Sequence, residues 1–255
     1  MTAERAQADE FLRIRPITRR RTLRQSVYEA LLELIVAGQL PSRQRLVETE
    51  LAGQLGVSRQ PVREALHRLH AEGWVEVRPN GGAFVHVPST DEVDELLAVR
   101  ALLEVEAARL AACRAGQHEL ARLEDICGHG EDAVRDGDAA RFIAANHDFH
   151  AALAELAGNS VLAELWTAVA RRARWHYHLV APLRMQASCA EHREIARAIA
   201  SGDERRAAAA AQVHIERTRI AYHRSPAARQ TGGPGLAGGS PPAPAIREHR
   251  EDAPR

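Results

Sequence analysis

The stretch GVSRQPVREAL, residues 56–66, places helix-start signals directly before a patterned helix. Gly56 allows the left-handed backbone that often ends a helix, and the hydroxyl of Ser58 is a preferred N-cap for the next one. Apolar residues then fall within one narrow arc at 100° per residue: Val62, Ala65, Leu66 and Leu69. The opposite side carries polar residues: Arg59, Gln60, Arg63, Glu64 and His67. The pattern predicts a helix that packs on one face and presents two arginines, one turn apart, on the other.

The flanking sequence adds elements on both sides of this helix. Upstream, helical spacing predicts a first helix over about residues 22–37 and a shorter second one with Leu46, Leu51 and Leu55 on its apolar face. Downstream, WVEV and AFVHV have strand composition, and RPNGG between them is rich in turn residues. Three helices and a two-stranded wing predict a winged helix-turn-helix domain over residues 21–88.

In such a domain the last helix enters the major groove of DNA, and its side chains can read bases there. Arg59 and Arg63 point the same way, and a guanidinium can bind guanine O6 and N7 in a bidentate manner. Ser58 and Gln60 flank them, and the free N–H groups of the helix N-terminus favour phosphate. The alternative is an ordinary solvated face, with the arginines paired to Glu64 or other neighbours. The complete helix, turn and wing pattern favours DNA binding.

The rest of the chain has helical periodicity from about Asp91 to about Tyr222, interrupted at four glycines. This predicts a bundle of about six helices, in a domain over residues 89–224. Residues 225–255 are rich in Pro, Gly and Ser and predict a disordered tail, and residues 1–20 predict a flexible basic arm. The fold class is therefore mainly α.

Composition narrows the class of protein further. The chain has 255 residues, 45% of them hydrophobic and 27% charged, with no apolar run near the roughly 18 residues of a membrane span. Its first residues lack the pattern of a signal peptide, so we expect a cytoplasmic protein that does not enter membranes. Three distant cysteines predict reduced thiols. Residues 1–90 carry 13 arginines against 10 acidic residues, a modest excess that suits a polyanionic partner.

The stretch LVETELAGQLGVSRQPVREALHRLHAEGWVEVRPNGGAFV resembles the N-terminal domain of the GntR family of bacterial transcription regulators. The helical remainder resembles the FCD subgroup, the FadR-like branch of that family. By this resemblance Arg59 and Arg63 read bases, Ser58 and Gln60 contact phosphate or base edges, and Gly82 lies at the wing tip near the minor groove. Family wings often carry a basic residue just before that glycine, whereas this chain has Gly81 there.

A second set of residues is consistent with a metal site inside the bundle. Asn146 and His150 are four residues apart and share a helix face, and the spacing of His192 with Ile195 and Ile199 points it inward. His214 lies at the margin of a poorly defined apolar stripe. The alternative for each histidine alone is a hydrogen-bonded core or surface residue. The FCD resemblance assigns metal ligands to Asn146, His150, His192 and His214, and neutral imidazoles suit a divalent ion such as Zn or Ni.

The resemblance also implies an effector and partners. Relatives of this type sense small organic acids or sugar acids, and Arg100 resembles the family arginine that pairs with the effector carboxylate. A salt bridge from Arg100 to Glu104 at the surface is the competing explanation. The expected protein is a homodimeric regulator, with repression as the commoner outcome, that binds a pseudo-palindromic operator in double-stranded DNA. A metal-dependent enzyme, or an architectural DNA-binding protein with a structural metal, are the alternatives.

Overall fold

The computed structural model describes residues 22–79 and 81–225, which divide into two compact units, one ending at Val87 and the other starting at Pro88. This part of the chain contains nine helices and three short strands. The predicted basic arm, residues 1–20, lies outside the described residues, as does the predicted tail from residue 226 onward. The mainly α fold class is confirmed.

Over residues 22–79 and 81–87 the N-terminal unit contains three helices and one sheet. Its elements are α1 (Leu23–Val36), β1 (Arg45–Leu46), α2 (Glu48–Leu55), α3 (Arg59–Ala71), β2 (Val75–Arg78) and β3 (Gly82–Val85). The side chain of Thr22 caps α1 by accepting a hydrogen bond from the backbone N–H of Gln25. Buried residues from α1 and α3, among them Leu31, Ile35 and Leu69, form the core that fixes α3. The three helices and the hairpin follow the predicted order.

The turn between α2 and α3 depends on Gly56, which has φ 65° and ends α2 in the left-handed conformation. Ser58 occupies the N-cap position of α3 with an extended backbone, as predicted. Its hydroxyl, however, accepts no capping hydrogen bond from any described residue, so the predicted cap contact is wrong. The Ser58 hydroxyl and the first N–H groups of α3 are left to meet solvent or a ligand.

The sheet differs from the predicted two-stranded wing. Leu46, expected at the start of the second helix, lies in strand β1, which pairs antiparallel with β3 to give the order β1-β3-β2. The physical reason is local: Leu46 is buried in the sheet while Arg45 is exposed, the alternation of a strand. Helix α2 begins only at Glu48. Acidic residues in its first turn interact favourably with the partial positive charge at the N-terminus of the helix.

The described part of the C-terminal unit consists of six helices, the number that the periodicity predicts. They are α4 (Thr90–Arg114), α5 (Gln117–Asp136), α6 (Ala139–Leu156), α7 (Ser160–Tyr177), α8 (Ala181–Ala200) and α9 (Glu204–Arg224). Helix α4 starts in a capping box formed by Ser89 and Glu92. Helices α5 and α8 are each longer than their apolar patterns indicate. Gly130 lies inside α5, where an added Cβ would meet the ring of Phe142 at 3.7 Å, so the glycine allows α5 to pack close to α6.

The core of this unit contains an unusual number of buried polar residues. Its apolar part includes Phe149, Leu153, Trp166, Ile195 and Ile199, together with many alanines that let the helices approach closely. Within it lie charged and polar side chains that are less than a tenth exposed: Arg100, Glu104, Asn146, His150, Arg184, Glu191, His192 and His214. Among the described helices, none is long and apolar enough to span a membrane.

Candidate DNA interface and metal centre

Helix α3 presents the predicted arginines to solvent. Val62, Ala65, Leu66 and Leu69 are buried, while the side chains of Arg59 and Arg63 are 59% and 47% exposed. Gln60 donates a hydrogen bond to Glu64 at 2.9 Å and is exposed as well. The structure thus places Ser58, Arg59, Gln60 and Arg63 on the accessible N-terminal half of one helix.

Both arginines bind the same carboxylate, that of Glu48 on α2. Arg63 donates from Nε to Oε1 at 3.0 Å and from Nη2 to Oε2 at 3.0 Å, and Arg59 Nη2 lies 3.4 Å from Oε2. The hydrogen bond from Arg63 holds the pKa of Glu48 below its usual range, so this carboxylate is ionised. The partner of the arginines is Glu48 and not Glu64, which instead binds Arg24. Helical periodicity cannot indicate Glu48, because its partners lie 11 and 15 residues away along the chain.

Strand β1, which pairs with the wing, carries a second residue that was not predicted, Arg45. Gly82 has φ 91°, and a Cβ placed on it would lie 3.6 Å from Nε of Arg45 on strand β1. Arg45 is exposed and pairs in register with Phe84. Arg45, Arg59, Arg63 and Gly82 line one groove of the unit. The neighbouring strand therefore supplies the positive charge that Gly81 does not give to the wing.

In the C-terminal unit three predicted metal ligands meet. His150 on α6, His192 on α8 and His214 on α9 each offer a nitrogen, and these atoms all lie within 4.8 Å of one another. The ring centroids of His150 and His192 are 5.1 Å apart, and those of His192 and His214 are 4.9 Å apart. His192 is held by stacking on Phe149, with 4.1 Å between centroids. Three helices thus bring the three imidazoles to one buried point.

Burial keeps these imidazoles neutral. It lowers the pKa of His150 and of His192, and it lowers the pKa of His214 to about 4 in spite of a hydrogen bond to Glu191. A neutral imidazole has one lone pair, which is the form that binds a metal ion. The three histidines are therefore in the protonation state of metal ligands near pH 7.

Carboxylates orient two of the rings. Nδ1 of His214 lies 2.8 Å from Glu191 Oε2, and Nδ1 of the neutral His150 lies 3.1 Å from Glu104 Oε2, the latter without hydrogen-bond geometry. Burial would raise the pKa of Glu191, but hydrogen bonds from His214 and Arg184 lower it to about 2. An ionised carboxylate can only accept, so His214 donates from Nδ1 and its Nε2 carries the lone pair. Carboxylates that fix the ligating nitrogen in this way are typical of metal sites.

Asn146, the fourth predicted ligand, also has a buried oxygen atom that could bind a metal ion. Asn146 is 6% exposed, one turn before His150 on α6, and its Oδ1 is buried without a hydrogen-bond partner among the described residues. The Nε2 atoms of His150 and His192 are in the same state within that part of the chain. Buried polar atoms without partners are costly, and a bound cation would satisfy them. The donor set of three neutral imidazoles and one amide oxygen fits a divalent ion.

Arg100 is buried rather than exposed. It is 4% exposed, and it donates from Nε to Glu104 Oε1 at 2.8 Å and from Nη2 to Oε2 at 3.1 Å. The salt bridge to Glu104 therefore exists, but in the interior and not at the surface. Burial would raise the pKa of Glu104, yet Arg100 and His150 together outweigh it, through charge and hydrogen bonding, and hold this pKa well below its usual range. Arg100 also lines a small internal cavity with Val93, Leu97, Tyr177 and Tyr222.

The two Arg–Glu–His sets, Arg100–Glu104–His150 and Arg184–Glu191–His214, were not predicted from the sequence as sets. Only the pair of Arg100 and Glu104, one helical turn apart, was expected, as a salt bridge at the surface. Glu191 is adjacent to His192 in sequence but binds His214 on another helix. Trp166 adds a further contact, donating from Nε1 to Glu104 Oε1 at 3.1 Å.

Comparison with known proteins finds a family match for each of the two units. Residues 23–85 match the bacterial regulatory proteins of the gntR family, and residues 95–217 match the FCD domain. The Nta operon transcriptional regulator of Aminobacter aminovorans is 37% identical over 135 residues, which cover 52% of this chain and 64% of that protein, just under two thirds of its length. The "Probable D-xylose utilization operon transcriptional repressor" of Paenarthrobacter nicotinovorans is 30% identical over 200 residues, 77% of this chain and 87% of that protein.

A solved structure agrees with the fold of the chain. A GntR protein of Rhodococcus sp. RHA1 matches with a TM-score of 0.67 and 26% identity over 78% of this chain and 96% of that one.

A winged helix-turn-helix domain followed by a helical domain with a buried histidine centre is the organisation of transcriptional regulators that carry a DNA-binding domain and a second, helical domain in the same chain. This chain belongs to the GntR family, with an FCD effector-binding domain at its C-terminal side. Members of this family are transcriptional regulators and not enzymes.

Proposed function

We propose that the protein is a metal-dependent, ligand-responsive repressor that binds a pseudo-palindromic operator as a homodimer and releases it when a small organic or sugar acid binds. The observation that carries this proposal is the meeting of His150, His192 and His214 beside the buried Arg100–Glu104 pair. Repression is proposed because one relative of high coverage bears the name of a repressor.

DNA recognition is assigned to the exposed half of α3 and the wing. Arg59 and Arg63 would exchange Glu48 for guanine edges, each bidentate contact contributing about 1–3 kcal/mol of base discrimination. Ser58 and Gln60 would contact phosphate or base edges, and Gly82 would lie near the minor groove with Arg45 beside it. The ion pairs with Glu48 are exposed, so their loss on DNA binding costs little.

Asn146, His150, His192 and His214 would hold the divalent ion. When bound, such an ion supplies open coordination positions to an effector carboxylate. Arg100 would pair with the same carboxylate and is held ready for it by Glu104. The acid would favour a different arrangement of the helices, and by linkage DNA would weaken effector binding to the same degree.

Dimer formation is assigned to the helical domain. Helices α4 and α7 pack against each other and expose large apolar side chains on their outer faces: Val99, Leu102, Val161 and Leu165. Leu102 is 75% exposed, and a group of exposed apolar side chains on neighbouring helices is typical of a protein interface. A second copy would cover these residues and pair the two α3 helices with two half-sites.

Release of operator DNA by acids tests the sensor part of the proposal. Protein bound to a labelled fragment from upstream of its own gene is titrated with a panel of small organic and sugar acids, each beside its carboxamide, before and after metal chelation. The proposal predicts that one acid lowers anisotropy, that its carboxamide does not, and that chelation removes the effect. Acid-independent binding across the panel would favour an architectural DNA-binding protein with a structural metal.

A further inference from the structure

A cleft lies on the surface of the helical domain, beside two of the helices that carry the histidines. It lies between α8 and α9, has a volume of about 420 Å³, and is lined by Leu183, Arg184, Arg217, Ile220, Ala221 and Arg224. Leu183 and Ile220 are 64% and 39% exposed, so the cleft has an apolar base. The Arg100 cavity has a different lining, with Thr218 in its wall.

The chemistry of this lining favours an anion. It contains three arginines and, among the described residues, no carboxylate. Arg224 forms no ion pair with any other described residue, and Arg217, 58% exposed, has one contact, 3.2 Å from Glu191 Oε1. A guanidinium binds a carboxylate through paired N–H donors, and the apolar base suits a short alkyl chain attached to it.

Arg184 gives the cleft a buried polar wall. It is 6% exposed, binds Glu191 through Nη1 and Nη2, and lies 3.4 Å from the hydroxyl of Thr218 through Nη2. Its Nε is buried and has no hydrogen-bond partner in the described part of the chain. A buried guanidinium with an unused donor has capacity for a further acceptor.

The same carboxylate joins the cleft to the histidines. Glu191 Oε1 accepts from Arg184 and Arg217, which line the cleft, and Glu191 Oε2 accepts from Nδ1 of His214. An anion that binds these arginines competes with Glu191 for their donors. Because His214 donates a hydrogen bond to Glu191, a change in the position of the Glu191 carboxylate alters this hydrogen bond directly.

We propose that the α8–α9 cleft is a second ligand site, for a small monocarboxylate with a short alkyl chain, and that its occupancy is transmitted to the metal centre through Glu191 and His214. The site is lined by different residues from the Arg100 cavity, and it is separate from the position at Arg100 and the metal centre that is assigned above to the effector. It therefore goes beyond the proposed function and does not depend on DNA binding or on a bound metal.

The test uses hexanoate as the probe and the metal-free full-length protein without DNA. Ligand-observed NMR titration gives the affinity for hexanoate, with 1-hexanol and inorganic phosphate as comparison ligands at equal ionic strength. The downfield proton that His214 shares with Glu191 reports the link to the metal centre. The variants are Arg217→Ala and, as the matched control, Arg219→Ala, which removes a second exposed arginine of α9, 44% exposed against 58% for Arg217, that pairs with Glu216 outside the cleft.

We expect hexanoate to bind more tightly than hexanol or phosphate and to shift the His214 proton. Arg217→Ala should weaken binding at least about five-fold, the order expected for loss of one charge-assisted hydrogen bond, and Arg219→Ala should not. Phosphate or hexanol binding as tightly as hexanoate would overturn the ligand class. Equal affinity of wild type and Arg217→Ala would overturn the site, and a His214 proton that does not move at saturation would overturn the link. All these outcomes are independent of operator release, so they do not bear on the proposed function.

Discussion

In the protein without DNA, Arg59 and Arg63 are already bound to the carboxylate of Glu48. This contact limits the freedom of two long side chains, so less conformational entropy is lost when they meet base edges. It also places one negative charge on the surface that, under the proposed function, faces phosphates. On that assignment Glu48 has two opposing effects on DNA binding, one on the order of the arginines and one on the charge of the surface.

Replacing Arg63 with alanine tests the assignment of the reading helix. We expect Arg63→Ala to lower affinity for the operator by roughly 1–3 kcal/mol while non-specific affinity falls much less, because base contacts specify and phosphate contacts do not. Fluorescence anisotropy on operator and scrambled duplexes measures both. Arg122→Ala removes an exposed arginine from α5 and serves as the charge control. Equal losses on the two duplexes would show that Arg63 does not read bases.

Glu48→Gln separates the two effects of the carboxylate. Without its charge, binding to scrambled DNA should become tighter by about 1 kcal/mol, the Coulomb energy of two charges about 4 Å apart in water. Operator binding should gain less, since the arginines lose the contact that orders them. The ratio of operator to scrambled affinity should therefore fall, measured at several salt concentrations. An unchanged ratio would mean that Glu48 has no part in specificity.

At this scale the sequence predicted the exposed arginines but not their partner. The helical pattern fixes which residues of α3 face outward, because that follows from 100° per residue alone. It cannot place Glu48 beside Arg63, since their contact depends on how the α2–α3 turn folds. In the same way, periodicity placed His150 and His192 inward, while the carboxylates that orient His150 and His214 lie on other helices.

Among the elements, α8 has the most varied role. It carries His192, the Glu191 that orients His214, and the Arg184 that binds Glu191. Its N-terminal half was not predicted to be helical, because residues 181–187 lack an apolar stripe and include Pro182, which is tolerated in the first turn of a helix. Strand β1 was missed for a related reason: two residues are too few for a periodic signal, and only pairing with β3 defines them.

Glu191→Gln tests whether α8 orients a metal ligand. The amide can no longer hold His214 in one tautomer as an ionised acceptor does, so affinity for Zn²⁺ should fall about 10- to 100-fold. Competition with a chromophoric chelator measures the affinity, and circular dichroism checks the fold. Glu194→Gln is the matched control, because Glu194 lies on the same helix, is exposed and pairs only with Arg206 among the described residues. The same loss in both variants, or none in Glu191→Gln, would argue against the assigned role.

For the whole molecule, the proposed function requires two copies, since one α3 helix reads one half-site. The outward residues of α4 and α7 are the proposed contact. Leu102→Glu would bury an unpaired charge there and should raise the dimer dissociation constant at least about 100-fold, in line with a cost of several kcal/mol. Sedimentation velocity measures it, and Val213→Glu on α9 is the control at an exposed apolar residue outside α4 and α7. Equal dimer dissociation constants in the two variants would show that the dimer interface does not include Leu102.

The two-unit plan was the most predictable property of the chain. Strand composition ends near residue 87 and helical periodicity begins within a few residues, so the change of pattern marks where one unit ends and the next starts. What could not be predicted is the polar interior of the second unit, because the burial of Arg100 and Arg184 depends on carboxylates that come together only in the folded bundle.

The most direct test of the central claim is the specificity of DNA binding. Fluorescence anisotropy compares the full-length protein on a duplex from upstream of its own gene and on a scrambled duplex of equal length, over a range of salt concentrations. Specific regulators bind their sites roughly 10³-fold or more tightly than other DNA. We predict a preference of that order for the upstream duplex at physiological salt, reduced roughly 5- to 150-fold in Arg63→Ala, the loss that corresponds to about 1–3 kcal/mol. Equal affinity for both duplexes, with the same salt dependence and no effect of Arg63→Ala, would contradict the assignment of α3 as the helix that reads DNA.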